Sequence, residues 1–319
     1  LALFSGNIGI SGGGSYFHLH AYGNLNLTWA RDPHKKSRRS MPIAAIGREI
    51  AAAQNPPIKL IWINGSNVIN QAPDSRQIVR AFENVEFKVV VDAFMNDTAQ
   101  RADLILPSTL MLEQEDIIGS YLHEYVQHVQ PALKPPVEAR DDMWILREIG
   151  KRLDPPVKLP DTETCLHRSL DQSCLQVTLE QLRREGFAKA DRPKVAYAGL
   201  AFDHPDGKYR FPLILHPEPS VDRQYPLRLL SLVRRRAIHS QILPEDQKKP
   251  PKVWVAPDSF CLKELNLGRP VELVSPQGRL RVAVQTMEGL HPDVAIYRRG
   301  DWISRGGGVN QLIAAQLTD

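Results

Sequence analysis

The chain has 319 residues, 42% of them hydrophobic, which is enough for two ordinary domains with their own cores and excludes a disordered, polar chain. Its 40 Lys and Arg against 36 Asp and Glu leave a net charge of +4, a weak basis for nucleic-acid binding. The basic runs at 34–39 and 234–236 carry no interleaved aromatics that would stack bases, and both read as solvated faces.

The sequence opens on LALFSGNIG, without an initiator Met and already inside an apolar run, which reads as a piece of a longer protein. Residues 58–155 alternate short apolar runs with helix-like stretches. IKLIWING (58–65) predicts a buried strand, SRQIVRAFENV a helix, FKVVVDAF (87–94) a second strand and ADLILPST (102–109) a third. That rhythm is an α/β unit with parallel strands. Its strands run out into NGSN, DAFMND and PST, and open α/β sheets take their ligands beyond the carboxyl ends of strands.

Residues 156–223 loosen into Pro-rich turns around two helices, expected at 163–172 and 178–185, and read as a connector. From Tyr225 the pattern changes to short strands in YPLRLLSLV, KVWVAP, PVELVSPQGRLRVAVQTM and DVAIYRRGDW, with SPQG as a hairpin turn. The expected fold is therefore α/β, a parallel-sheet layer over 1–155, the connector, and a small β-barrel over 224–319.

Cys165, Cys174 and Cys261 are odd in number and far apart, which suits neither a disulfide framework nor a closed metal site. They also fall short of the four thiolates of an iron–sulfur cluster. No apolar stretch approaches the roughly 20 residues of a membrane span. Near the end, Gly306, Gly307 and Gly308 stand beside Asn310, and three glycines in a row suggest a backbone that something approaches closely.

Taken in order, GNIGISGGG (6–14), LIWINGSNVINQAPDSRQIVRAF (60–82), VVVDAFMNDTAQRADLILPSTLMLEQEDIIGSY (89–121), PPVEARDDMWILREIGKRL (135–153), YPLRLLS with IHSQ (225–241) and GGGVNQL (306–312) resemble the C-terminal half of a molybdopterin oxidoreductase of the dimethyl sulfoxide reductase family. Members hold molybdenum or tungsten between two molybdopterin guanine dinucleotides. The resemblance implies that the α/β layer takes one cofactor's nucleotide at its strand ends and that the barrel closes over both pterins. It places Gly65 and Asn67 on a phosphate- or ribose-binding loop, although Val68 stands where the family usually has Pro. Asp92 is then suited to pair with guanine N1 and N2, and Thr98 to cap the following helix while touching the same ligand. His239, Ser240 and Gln241 supply polar groups for pterin and pyrophosphate. Gly307 gives clearance for the flat pterin, and Asn310 offers both donor and acceptor to its edge. Gly12 and Gly13 fall near the metal end.

His18 and His20 alternate on an apolar strand and read as packing residues, and the Arg that formate dehydrogenases carry in that neighbourhood is absent. The metal ligand and any iron–sulfur cluster are expected upstream, so no metal ligand is expected in this segment and no catalytic residue is named. The implied partners are the N-terminal part of the same chain and electron-transfer subunits, with no nucleic acid. The alternative is a metal-free structural subunit of the same fold in a larger redox complex, against which the retained IHSQ and GGGVNQL weigh. An unrelated dinucleotide-binding domain is disfavoured because no GxGxxG follows a strand.

Overall fold

The computed structural model describes residues 1–14, 23–31, 39–214, 222–247 and 249–316. His18 and His20 lie outside them. The chain forms two compact units, each built from two separated stretches. Leu1–Lys36 joins Ser108–Pro217, and Ser37–Pro107 joins Glu218–Asp319. The sequence reading has instead consecutive blocks divided at 155 and 223.

The second unit begins with helix α1 (Ile46–Ala52), strand β1 (Leu60–Asn64), helices α2 (Val68–Gln71) and α3 (Ser75–Glu83), and strands β2 (Phe87–Asp92) and β3 (Leu104–Pro107). The three strands are parallel in the order β1-β2-β3. Only β2 is central, and Val89, Val90 and Val91 are all buried in it. The run at 58–65, expected to be a buried strand, is an edge strand with Leu60 and Trp62 exposed, because no strand among the described residues lies beyond it. Asp74 accepts a hydrogen bond from the Gln77 N–H at the start of α3, and Ile78 and Phe82 pack with Ile50, Ile69 and Val85.

The first unit contains β4 (Asp116–Ile118), β5 (Tyr125–Val129), α4 (Asp142–Gly150), α5 (Thr162–Leu170), α6 (Leu179–Glu185) and β6 (Phe187–Lys189). Strands β4, β5 and β6 form an antiparallel sheet. The stretch expected to be a connector supplies much of this unit's core. Leu166, Leu170, Leu179 and Leu182 cluster with Ile117 and Val126, and Leu179 and Leu182 are fully buried. A Pro-rich sequence does not reveal such packing, because helices this short draw their stability from the apolar face they bury rather than from propensity. Thr178 and Gln181 form a reciprocal capping box at the start of α6, and Gly186 closes it at φ +80°. On the surface Arg183 bridges Glu115 and Glu163 and holds both carboxyls below their ordinary range.

The second unit resumes with β7 (Arg228–Leu232), β8 (Lys252–Val255), β9 (Val271–Val274), β10 (Arg279–Thr286) and β11 (Val294–Arg298), in the order β7-β11-β8-β10-β9. Ser275 and Gly278 exchange backbone hydrogen bonds across the expected SPQG turn. Expected as a small β-barrel, this sheet is a curled half-barrel whose edges among the described residues are β7 and β9. Val309 and Leu312, from C-terminal turns, join Val253, Val282 and Tyr297 in its core, covering apolar side chains that a closed barrel would bury with strands. No helix among the described residues is long and apolar enough to cross a membrane.

Helix α1 approaches α3 through Gly47, where an added Cβ would stand 2.7 Å from the Ile78 backbone nitrogen and 2.9 Å from its Cα. Helix propensity alone favours Ala there by about 1 kcal/mol. Overpacking against a backbone that no rotamer can relieve typically costs about 1–3 kcal/mol. Gly47→Ala is therefore expected to lower stability in urea unfolding, and a rise would show that α1 can slide away from α3.

Candidate functional site at the strand ends

Pairing of β1 with β2 sets Asn64 opposite Val91, and the Gly65 N–H donates to the Val91 carbonyl at 2.9 Å. The two expected strand-end loops are therefore neighbours. Gly65 adopts φ +57°, and nothing lies within 4 Å of where its Cβ would be. Asn67 precedes α2 and is 3% exposed. Its Oδ1 accepts from the Thr98 N–H (3.2 Å) and hydroxyl (2.9 Å), and Thr98 Oγ1 in turn accepts from the Ile69 N–H at 3.1 Å. Because a backbone N–H fixes Oδ1 as the acceptor, the other amide atom is the nitrogen. That Nδ2 is buried and has no hydrogen-bond partner among the described residues.

Thr98 does not cap the short 3-10 turn Ala99–Arg101 with its side chain. Asn96 does so, since its Oδ1 accepts from the N–H groups of Thr98 and Ala99, both at 3.0 Å. The expected capping role thus passes to a neighbour, and the Thr98 hydroxyl ties the two loops together. Asp92 is half-buried. Its Oδ1 accepts from the Phe94 N–H at 2.9 Å and its Oδ2 from the Asn96 amide at 2.8 Å, so each oxygen keeps a further lone pair.

Asp97, not singled out from the sequence, has no exposed surface. Its Oδ1 accepts from the Ser304 N–H at 2.9 Å and its Oδ2 from the Ile303 N–H at 2.8 Å. Asn70, also unanticipated, donates to the Asp301 carbonyl at 2.7 Å, and its own carbonyl accepts from the Asn310 amide at 2.7 Å. Gln71 donates to Ser240 Oγ at 2.9 Å, and the Trp302 indole N–H to the Ser240 carbonyl at 2.8 Å. The only signal for these residues was a polar pair, Asn70 and Gln71, inside an otherwise apolar helical stretch.

These bonds gather IHSQ, GGGVNQL and the end of α2 around a cleft of about 170 Å³. Asn70, Gln71, His239, Arg299, Gly300, Val309 and Asn310 line it. His239 sits at φ +49° and is exposed, Ser240 is buried, and Gln241 is exposed. Asn310 is half-buried, and its Oδ1 forms no hydrogen bond among the described residues. The lining offers an imidazole, a guanidinium and amide groups, a mixture suited to a ligand with ring nitrogens and acidic oxygens. Gly12 and Gly13 belong to the other unit. Gly12 faces open space at φ +76°, whereas a Cβ on Gly13 would stand 2.8 Å from the Asn7 carbonyl oxygen.

The expected clearance at Gly307 is used by the protein itself. A Cβ there would stand 2.7 Å from Asp301 Oδ2, and one on Gly308 would collide with Ile303. Of the three glycines only Gly306 faces open space. Asp301 is 6% exposed, and its carboxylate meets the Tyr297 hydroxyl and the Arg234 guanidinium. Burial pushes the Tyr297 phenol up and the Arg234 guanidinium down. Gly307 is therefore bare so that this buried acid can pass. Among the described residues no group of three His, Cys, Asp or Glu side chains is placed to hold a metal ion.

The profile of the molybdopterin oxidoreductase family matches residues 1–152. The probable oxidoreductase YyaE of Bacillus subtilis is 31% identical over 98% of this chain and 50% of its own length. Dimethyl sulfoxide reductase DmsA of Escherichia coli is 22% identical over 98% of this chain and 48% of its own. The chain spans about half the length of these relatives. In fold it is similar to acetylene hydratase from Pelobacter acetylenicus, with a TM-score of 0.65 and 19% identity over 82% of this chain and 39% of that one.

Asp97→Asn keeps the side chain's size but turns an NH2, itself buried, toward one of the two backbone donors of Ile303 and Ser304. An unmet buried partner costs about 1–3 kcal/mol. The variant is expected to be less stable by that amount, with faster hydrogen exchange at the amides of Ile303 and Ser304. Unchanged exchange there would remove Asp97 as the anchor. Gly307→Ala is expected to destabilise by displacing Asp301.

Proposed function

The chain belongs to the molybdopterin oxidoreductase family, and from that premise we propose that it is the cofactor-holding C-terminal part of a molybdenum or tungsten oxidoreductase. In this reading the strand ends of the α/β layer take the nucleotide of a molybdopterin guanine dinucleotide. The lining from His239 to Gln241 and Asn310 meets its pterin side.

The observation that carries the proposal is the orphaned amide nitrogen of Asn67. A buried donor without an acceptor is rare, and its presence asks for a partner outside the protein. It stands beside Gly65, whose backbone is bare toward open space, so the residues present fit a ligand with acceptor oxygens such as a phosphate or ribose. Asp92 has lone pairs left for the guanine N1 and N2 protons, while its internal bonds hold it in one orientation. Asn310 keeps an acceptor for the pterin edge. The metal, when bound, supplies the redox chemistry. This chain's residues bind and orient the organic cofactor and hold the loop at 301–310 against it. The metal ligand, a second dinucleotide, any iron–sulfur cluster and electron-transfer partners belong to the remainder of such an enzyme.

The test is calorimetric binding of GDP to the purified protein. Asn67→Asp replaces the orphaned donor by an acceptor while keeping Oδ1 for Thr98, and it is expected to weaken GDP by about 1–3 kcal/mol. Asp92→Asn is expected to weaken GDP by about 1.5–3 kcal/mol, the range for a hydrogen bond to a charged group, and to leave ADP unchanged. Equal losses for both nucleotides would reduce Asp92 to a turn cap, and GDP binding indifferent to Asn67 would sink the strand-end site.

A further inference from the structure

A second cleft, of about 190 Å³, lies in the same unit and shares no lining residue with the first. Its walls include Pro250, Pro251 and Trp254, and five cations converge on it: Arg234, Lys249, Lys252, Arg298 and Arg305. Among the described residues two carboxylates line it. Asp301 is already engaged by Tyr297 and Arg234, and Asp246 is exposed. Among the described residues Lys249, Lys252, Arg298 and Arg305 form no ion pair.

Two of the arginines are fixed in place. Arg298 donates to the Val233 carbonyl at 3.0 Å and Arg234 Nε to the Arg299 carbonyl at 3.1 Å. Burial lowers the Arg234 pKa, and the charge of Arg298 lowers it further. Like charges held together at the wall of a concave, partly apolar site repel one another and focus a positive potential into it. Seven formal charges of which five are positive leave an excess of three, and an entering oxyanion would relieve it with charge-assisted hydrogen bonds.

We propose that this cleft is an anion site for a small oxyanion of the phosphate class, separate from the cleft lined by His239 and Asn310. The proposal does not rest on the cofactor reading. Asp301 joins the two clefts, since its side chain faces the basic one while its carbonyl is held by Asn70 at the other. The loop that carries Asn310 therefore lines the basic cleft as well, through Asp301, Arg305 and Gly307.

The experiment titrates inorganic pyrophosphate into the purified protein at constant ionic strength, with chloride as the balancing anion. Saturable binding is expected. The double variant Lys252→Gln with Arg298→Gln should weaken it at least tenfold, whereas Lys59→Gln, an equal loss of exposed charge elsewhere, should leave it unchanged. Arg305→Gln, a milder surface change, repeats the test should the double variant fail to fold. Asn67→Asp, which probes the nucleotide reading through GDP, should not alter pyrophosphate binding. Binding no stronger than that of chloride, indifference to the cleft substitutions, or an equal loss in Asn67→Asp would each overturn the proposal.

Discussion

One buried carboxylate fixes the candidate site. Asp97 has no exposed surface, and both of its oxygens accept backbone N–H groups from the loop after β11. A charge held so far from water is tolerable only if strong donors surround it, and here they come from a segment more than two hundred positions away. The α/β layer and the half-barrel are thereby held in one arrangement. The contacts of Asn70, Gln71, Ser240 and Asn310 follow from it, because each joins the end of α2 to one of the two barrel loops.

Around that anchor the unit divides its polar groups into those that close on each other and those left open. Asn96, Asp92, Thr98 and the Asn67 oxygen form a closed circuit that shapes the strand-end loops. The Asn67 nitrogen and the Asn310 oxygen form no hydrogen bond among the described residues, and His239 is exposed beside Asn310 in the cleft. Internally bonded groups beside a few unmatched ones are what a preorganised binding site would require, since rigid partners orient the groups that a ligand completes. The glycines fit the same division. Gly65 faces open space at the strand end, whereas Gly307 and Gly308 make room for Asp301 and Ile303 inside the fold.

The candidate site was legible in the sequence to the extent that it follows from local chemistry. The strand ends at Gly65 and Asp92 were visible because an apolar run stopped at polar, turn-prone residues, and parallel pairing brings such ends together. His239 and Asn310 stood out as polar residues where a barrel strand prefers apolar ones. Asp97 did not stand out. Its sequence neighbours, Asn96 and Thr98, make it look like one more residue of a polar turn, and its value lies in two distant amides. The neighbour of Gly307 could not be read for the same reason, since a glycine announces that something comes close without saying that it is Asp301.

By itself the sequence determined the parallel β1-β2-β3 unit, the SPQG hairpin, the helices near 163–185 and the family, all of which rest on neighbouring residues or on motifs in fixed order. Tertiary structure decided that residues 108–217 form a unit with the N-terminal stretch, that the second sheet stays open, and that Asp301 rather than a ligand fills the space at Gly307. The reason is physical. Periodicity and turn chemistry act over a few residues and are written locally, whereas burial and the pairing of a buried charge depend on which distant segments meet. That is settled only when the whole chain has packed.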